Sequence, residues 1–269
     1  MPAPWLDSAW PKRVRITAKP QLLPTSGTLQ DFDLVLTLDA DSLSSVFDLA
    51  QNDGSDLRIT ASDGLTVLDH EIASYDSTNH RAQIWFRAPT LSDTERTFYL
   101  YYGNTDSMSG GPTVSPFGPE NLLVYHLEDD PALGILHDSG PHGNSGVSGA
   151  GAGWSSDASQ PGQIGSGWDF DGVQNWPYAE NVDSPDSSFT VSAWASQPAG
   201  PGSGSMSMQS LAGYWNLSFR RRGGDPSPAL ETNDGFITWD SAVTDTLMHH
   251  FVWMVDGVGS SGMQIHNAM

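Results

Sequence analysis

The chain has 269 residues, with 32 Asp and Glu against 11 Lys and Arg, and a formal net charge of −21. Such a field repels nucleic acid and anionic lipid, so both are discounted as partners. There is no cysteine, which rules out disulfides, thiolate catalysis and cysteine zinc sites, and no run is long and apolar enough to insert into a bilayer.

The first residues, MPAPWLDSAW, lack the basic start and apolar run of a signal peptide. The protein is therefore expected to be either cytosolic or a mature-like fragment. RVRITAK alternates as a strand, with Val14 and Ile16 on one face and Arg13, Arg15 and Thr17 on the other. DFDLVLTLD aligns Phe32, Leu34, Leu36 and Leu38 in the same way. LSSVFDLAQ has helical spacing through Leu43, Val46, Phe47 and Ala50, and predicts one helix of about two turns.

From Asn52 to Asn104, three alternating runs are punctuated by NDG, SDG and GN, whose glycines supply the positive φ of tight turns. Phe98, Leu100 and Tyr102 share one face and Tyr99 and Tyr101 the other; Ile84 and Phe86 oppose Trp85 and Arg87. This predicts a meander of antiparallel strands, and a small β-sandwich with one short helix over residues 1–105. Residues 106–120 are rich in Gly, Pro and Ser and read as a linker. Residues 121–269 alternate short strands with Gly-rich loops, from NLLVYHLEDD to MHHFVWMVDG, which indicates a second sandwich or jelly roll. The fold class expected is all-β, two tandem β-sandwich domains.

The order W…RVRIT, DFDLVLTLD, DGSDLRITASDG, LDHEI and LYYGN resembles a bacterial and archaeal family, domain of unknown function 2341, over roughly the first 105 residues. VYHLEDD…DSGPHGN, IGSGWDFDG, FTVSAWAS and MHHFVWMVDG resemble the laminin-G-like, concanavalin-like superfamily. The first resemblance implies a large surface or periplasmic protein, in some members ahead of a MotA/TolQ/ExbB-type proton-channel segment, and supplies no catalytic residues. The second implies a jelly roll that is cut short here, because the chain stops at Met269 soon after the last strand pair. An edge left open by such a truncation would template self-association.

Carboxylates lie close together at Glu128, Asp129 and Asp130, and again at Asp169 and Asp171, but no ExDxE strand motif of a concanavalin-like hydrolase accompanies them. The better case is one structural calcium, the cofactor the superfamily implies, held by Glu128, Asp130, Asp138 and Asn144; ordinary Asx turns are the alternative. His249 and His250 alternate along a strand and cannot chelate one ion from the same face. Trp154, Trp176, Tyr178, Tyr214 and Trp215 sit in or beside loops, where flat rings stack on sugars or plug the ends of a sandwich.

The expected function is a non-catalytic ligand-binding or adhesion module, for glycan or protein, of an exported bacterial protein at the cell surface, in the periplasm or outside the cell. The alternatives are a structural or sensing ectodomain of a proton-channel-type envelope complex and, with less support, a polysaccharide hydrolase.

Overall fold

The structure is a computed structural model. It describes residues 3–19, 27–106, 115–148, 154–170, 177–179, 182, 189–196, 207–209, 215–218, 229–232, 235–238, 246–256 and 264–267, with only the backbone at residue 148, at the strands within 207–245 and beyond residue 252. The chain forms two compact units, Met1–Glu128 with Asp138–Gly143, and Asp129–His137 with Asn144–Met269.

The first unit contains β1 (Lys12–Thr17), β2 (Leu29–Leu38), α1 (Ala40–Phe47), β3 (Arg58–Thr60), β4 (His70–Asp76), β5 (Arg81–Leu91) and β6 (Thr97–Tyr102). They build two antiparallel three-stranded sheets, ordered β1-β6-β3 and β2-β5-β4. Alternation along each strand decides which side chains meet between the sheets. Leu34, Leu38, Ile84 and Phe86 from one sheet and Ile59, Phe98, Leu100 and Tyr102 from the other are all buried. Phe86 meets Phe98 edge-on at 5.0 Å across the core. The sandwich is as expected, but the meander is not. β5 is hydrogen-bonded on one side by β2 and on the other by β4, so β6 finds no free edge there and pairs with β1 and β3 instead.

Helix α1 starts where a cap exists for it. The Asp39 carboxylate accepts from the amides of Asp41 and Ser42, and the Ser42 hydroxyl oxygen accepts in turn from the Asp39 amide, which completes a capping box. Val46 and Phe47 are its buried face. The turns are set by the expected glycines. Gly54 and Gly64 have φ of +70° and +73°, and a Cβ at Gly64 would strike the carbonyl oxygen of Pro4.

His70 opens β4 deep in the unit. Its Nδ1 lies 2.9 Å from the Leu68 carbonyl and its Nε2 3.2 Å from that of Leu57. Burial pushes its pKa below the ordinary histidine value and outweighs the two carbonyls, which favour the charged ring. On acidification the unfolded chain therefore takes up the proton first. The stability that His70 contributes is complete above the unfolded pKa of about 6.5 and is lost as the pH falls through it towards the lower folded value. Urea unfolding at a series of pH values is expected to show this decline between about pH 7 and 5, and His70→Gln to flatten it. Asp39, Asp53, Asp63 and Asp76 are held below the ordinary carboxylate value, first by hydrogen bonds from Ser42, Ser55, Thr66 and Asn79. Their contribution is lost only at more acidic pH, so the two effects separate.

The second unit holds β7 (Ile135–Leu136), β8 (Gly146–Ser148), β9 (Ser159–Pro161), β10 (Ser166–Trp168), β11 (Pro177–Ala179), β12 (Phe189–Ala195), β13 (Ser207–Gln209), β14 (Trp215–Ser218), β15 (Ala229–Thr232), β16 (Gly235–Thr238), β17 (His249–Asp256) and β18 (Gln264–Asn267). All their pairings are antiparallel, in sheets ordered β11-β8-β7, β10-β9, β12-β17-β18 and β13-β14-β15-β16. The all-β class read from the sequence is therefore what both units show.

Candidate functional site

The expected linker at 106–120 is not where the chain divides, and the reason lies on the outer face of β2-β5-β4. Trp85 points away from the core, as its alternation requires, yet its ring is covered. His126 stacks on it at 5.3 Å, and Phe117 packs at 5.6 Å from it and 5.7 Å from His126. Residues 115–128 thus run as a strap across this sheet, and NLLVYHLEDD, expected as the first strand of the second domain, forms no strand. Asp138–Gly143 returns to reinforce the strap. The Asp138 carboxylate accepts from the amides of Val124 at 2.8 Å and Gly140 at 2.9 Å, and the Ser139 amide donates to the Val124 carbonyl.

Under the strap is a polar cluster that sequence order alone did not show. The Glu71 carboxylate accepts from the Ser139 hydroxyl at 2.6 Å and lies 3.5 Å from His126 Nε2. Nucleophilic catalysis needs the imidazole between hydroxyl and carboxylate. Here the carboxylate is in the middle, so the arrangement clamps the strap and does not activate the serine. Beside it, Arg87 reaches Glu120 at 3.1 Å and Asp31 at 3.6 Å. Asp33 is pushed above the ordinary carboxylate value by burial, against the pull of Arg87.

The opposite sheet carries a second aromatic cluster. The Arg13 guanidinium sits over the rings of Trp5 at 4.5 Å and Tyr99 at 4.4 Å, and donates to the Tyr101 hydroxyl at 2.7 Å. Trp5 meets Tyr101 edge-on at 5.6 Å. The N-terminal segment thereby buries the face of β6 that alternation had assigned to solvent.

The four calcium candidates are divided between the units, Glu128 and Asp138 in the first, Asp130 and Asn144 in the second. Asp138 holds the strap. Asp130 caps the short 3-10 turn Pro131–Leu133 through the Ala132 amide and accepts from the Ser156 hydroxyl. Asn144 is half-buried. Among the described residues no group of three His, Asp or Glu converges as a metal cradle.

Of the aromatic candidates, Trp176 and Tyr214 lie outside the described residues, and of Trp215 only its backbone pairing with Thr232 is described. Trp154 is half-buried, packed 4.9 Å from Trp168 and edge-on to Phe170. It acts as a plug. Tyr178 is different. In β11-β8-β7 it pairs with Val147, and Val147 pairs with Ile135, so the three side chains form one cross-strand row. All three are open to solvent, at 39%, 41% and 42% exposure, and Leu133 is more exposed still. Beyond Ile135 on the same strand face, the exposed His137 ring is tied to Asp129, with Nδ1 2.5 Å from Oδ1 and the His137 amide donating to Oδ2 at 2.8 Å.

No helix among the described residues is long and apolar enough to cross a membrane. No curated protein and no solved structure matches the chain. Residues 53–128 match the family model described as Domain of unknown function (DUF2341), a match that starts at the NDG turn, leaves out β1, β2 and α1, and ends at Glu128, the residue at which the first unit also gives way to the second.

Proposed function

We propose that the chain is a non-catalytic ligand-binding or adhesion module of an exported bacterial protein, acting at the cell surface or in the periplasm. The observation that carries the reading is the solvent-facing row Ile135–Val147–Tyr178, an apolar and aromatic strip of the kind that marks interaction sites. The use of the acidic residues supports it. Asp39, Asp53, Asp56, Asp63, Asp76, Asp129, Asp130 and Asp138 all accept hydrogen bonds from backbone amides, which makes them builders of turns and loops. A second unit of laminin-G-like kind is in keeping with its antiparallel sheets.

Surface plasmon resonance of the full chain against immobilised envelope polysaccharides and purified envelope proteins tests this. Reversible, saturable binding is expected, weakened several-fold by the double substitution Ile135→Ser with Tyr178→Ala. Turnover of any bound polysaccharide, seen as released reducing ends, would overturn the non-catalytic reading. Absence of saturable binding to every surface would overturn the binding reading itself.

A further inference from the structure

The face of β12 and β17 carrying Trp194 is more mixed than the apolar row, with Thr190, Ser192 and Trp194 of β12 standing at register positions opposite Met254, Val252 and His250 of β17. Along β12, Thr190, Ser192 and Trp194 alternate to the exposed side, while Phe189, Val191, Ala193 and Ala195 take the other. Trp194 is 41% exposed. The register places it directly opposite His250, and the two rings stack at 4.9 Å with planes 23° apart. His250 is itself exposed and hydrogen-bonds the Ser192 hydroxyl at 2.8 Å through Nε2. That contact fixes the imidazole beside the indole. From Thr190 to Trp194 the strand rises roughly 13 Å, about the reach of a short oligosaccharide.

We infer that this face is a stacking platform for a neutral saccharide, with Trp194 as the ring against which a pyranose lies and Ser192, Thr190 and His250 as the groups that meet its hydroxyls. The inference rests on the binding reading above and names a ligand and a place for it. Three features select this occupant. An indole held by a neighbouring ring is a flat, pre-organised surface for the apolar face of a sugar. Hydroxyls and an imidazole offer donors and acceptors at close spacing, which a hydrophobic protein surface would leave unpaired. Thr190, Ser192 and Trp194 carry no charge, and the chain as a whole bears a formal −21, so a polyanionic glycan is repelled.

The full chain is titrated with cello-, xylo-, manno- and malto-hexaose, with binding followed by calorimetry and by tryptophan fluorescence. At least one of these neutral hexaoses is expected to bind. Trp194→Ala is expected to weaken it at least about tenfold, Trp194→Phe to restore most of the loss, and His250→Ala to weaken it several-fold. Leu65→Ser, at an exposed position in the first unit, is expected to leave it unchanged. The Phe variant keeps the test informative if the Ala variant fails to fold. Hexaose binding that survives both Trp194→Ala and His250→Ala would overturn the site and leave the binding reading standing. Binding only to sulfated or uronic glycans, weakened by the Trp194 substitutions, would overturn the ligand class alone; binding only to a protein through the Tyr178 row would overturn the site and leave the binding reading standing. No binding to any glycan or protein would remove both.

Discussion

An Asp56→Ala variant is expected to lose about 4 kcal/mol of unfolding free energy, most of what a marginal domain has. Asp56 is fully buried. Its Oδ1 accepts from the Gln51 amide at 2.8 Å, and its Oδ2 accepts from the amides of Gly103 at 2.5 Å and Asn104 at 3.0 Å. Each donor left without a partner costs ~1–3 kcal/mol, with the lower figure where water can reach it. The carboxylate also faces Arg58, whose pKa is lowered by burial and raised again by Asp56, and the Asp56 carbonyl holds Trp10 Nε1 at 2.8 Å. Asp56→Asn keeps the shape but aims an amide donor at one of the backbone donors, so it is expected to lose at least half as much. Urea unfolding followed by tryptophan fluorescence measures both. An Asn variant as stable as the parent would show that one acceptor suffices.

A fragment of residues 1–105 is expected to be aggregation-prone and to lack a cooperative transition, whereas residues 1–143 unfold as one unit. The shorter piece strips Phe117 and His126 from Trp85 and leaves an indole on an open sheet face. Exposing Trp85 and deleting the buried Phe117 forfeits about 1.5–3 kcal/mol for each aromatic, a sum comparable to the lower end of domain stability. A fragment of residues 1–128 is expected to fall between, since it retains the rings but lacks the hydrogen bonds from Asp138 and Ser139. Size-exclusion chromatography and denaturant titration of the three fragments decide the matter. Equal stability of the 105 and 143 endpoints would show that the strap adds nothing to the sandwich.

Alternation made much of the first unit legible. Phe98, Leu100 and Tyr102 on β6, and Ile84 and Phe86 on β5, are buried as their spacing demands. Helical spacing found α1, and the NDG and SDG turns found Gly54 and Gly64. Period two, however, assigns a side chain to a face without saying what covers that face. Tyr101 and Trp85 both point away from the core. Tyr101 is nonetheless fully buried beneath the N-terminal segment, and Trp85 is covered by the strap. Nor does it choose partners, so two sheets were read as one meander. The Asn104 amide donates to the Asp56 carboxylate, which links the loop after NDG to the GN turn across 48 positions, a distance no local pattern encodes. In the second unit, residue type and a loop setting single out Tyr178, and the structure shows its side chain exposed. Alternation in FTVSAWAS likewise puts Thr190, Ser192 and Trp194 on one face of the strand, without saying that this face is the exposed one.

The backbone passes from one compact unit to the other at residue 128, returns at 137 and departs again at 143. Bead-on-string proteins can be shuffled by joining genes at one breakpoint, because a single tether separates their parts. No single cut does that here. An exchange at Glu128 would strand the Asp138–Gly143 return in the foreign partner, and one at Gly143 would carry the Asp129–His137 excursion away from the body to which it belongs. Any chimaera that keeps both bodies whole will need its seam drawn through three places at once.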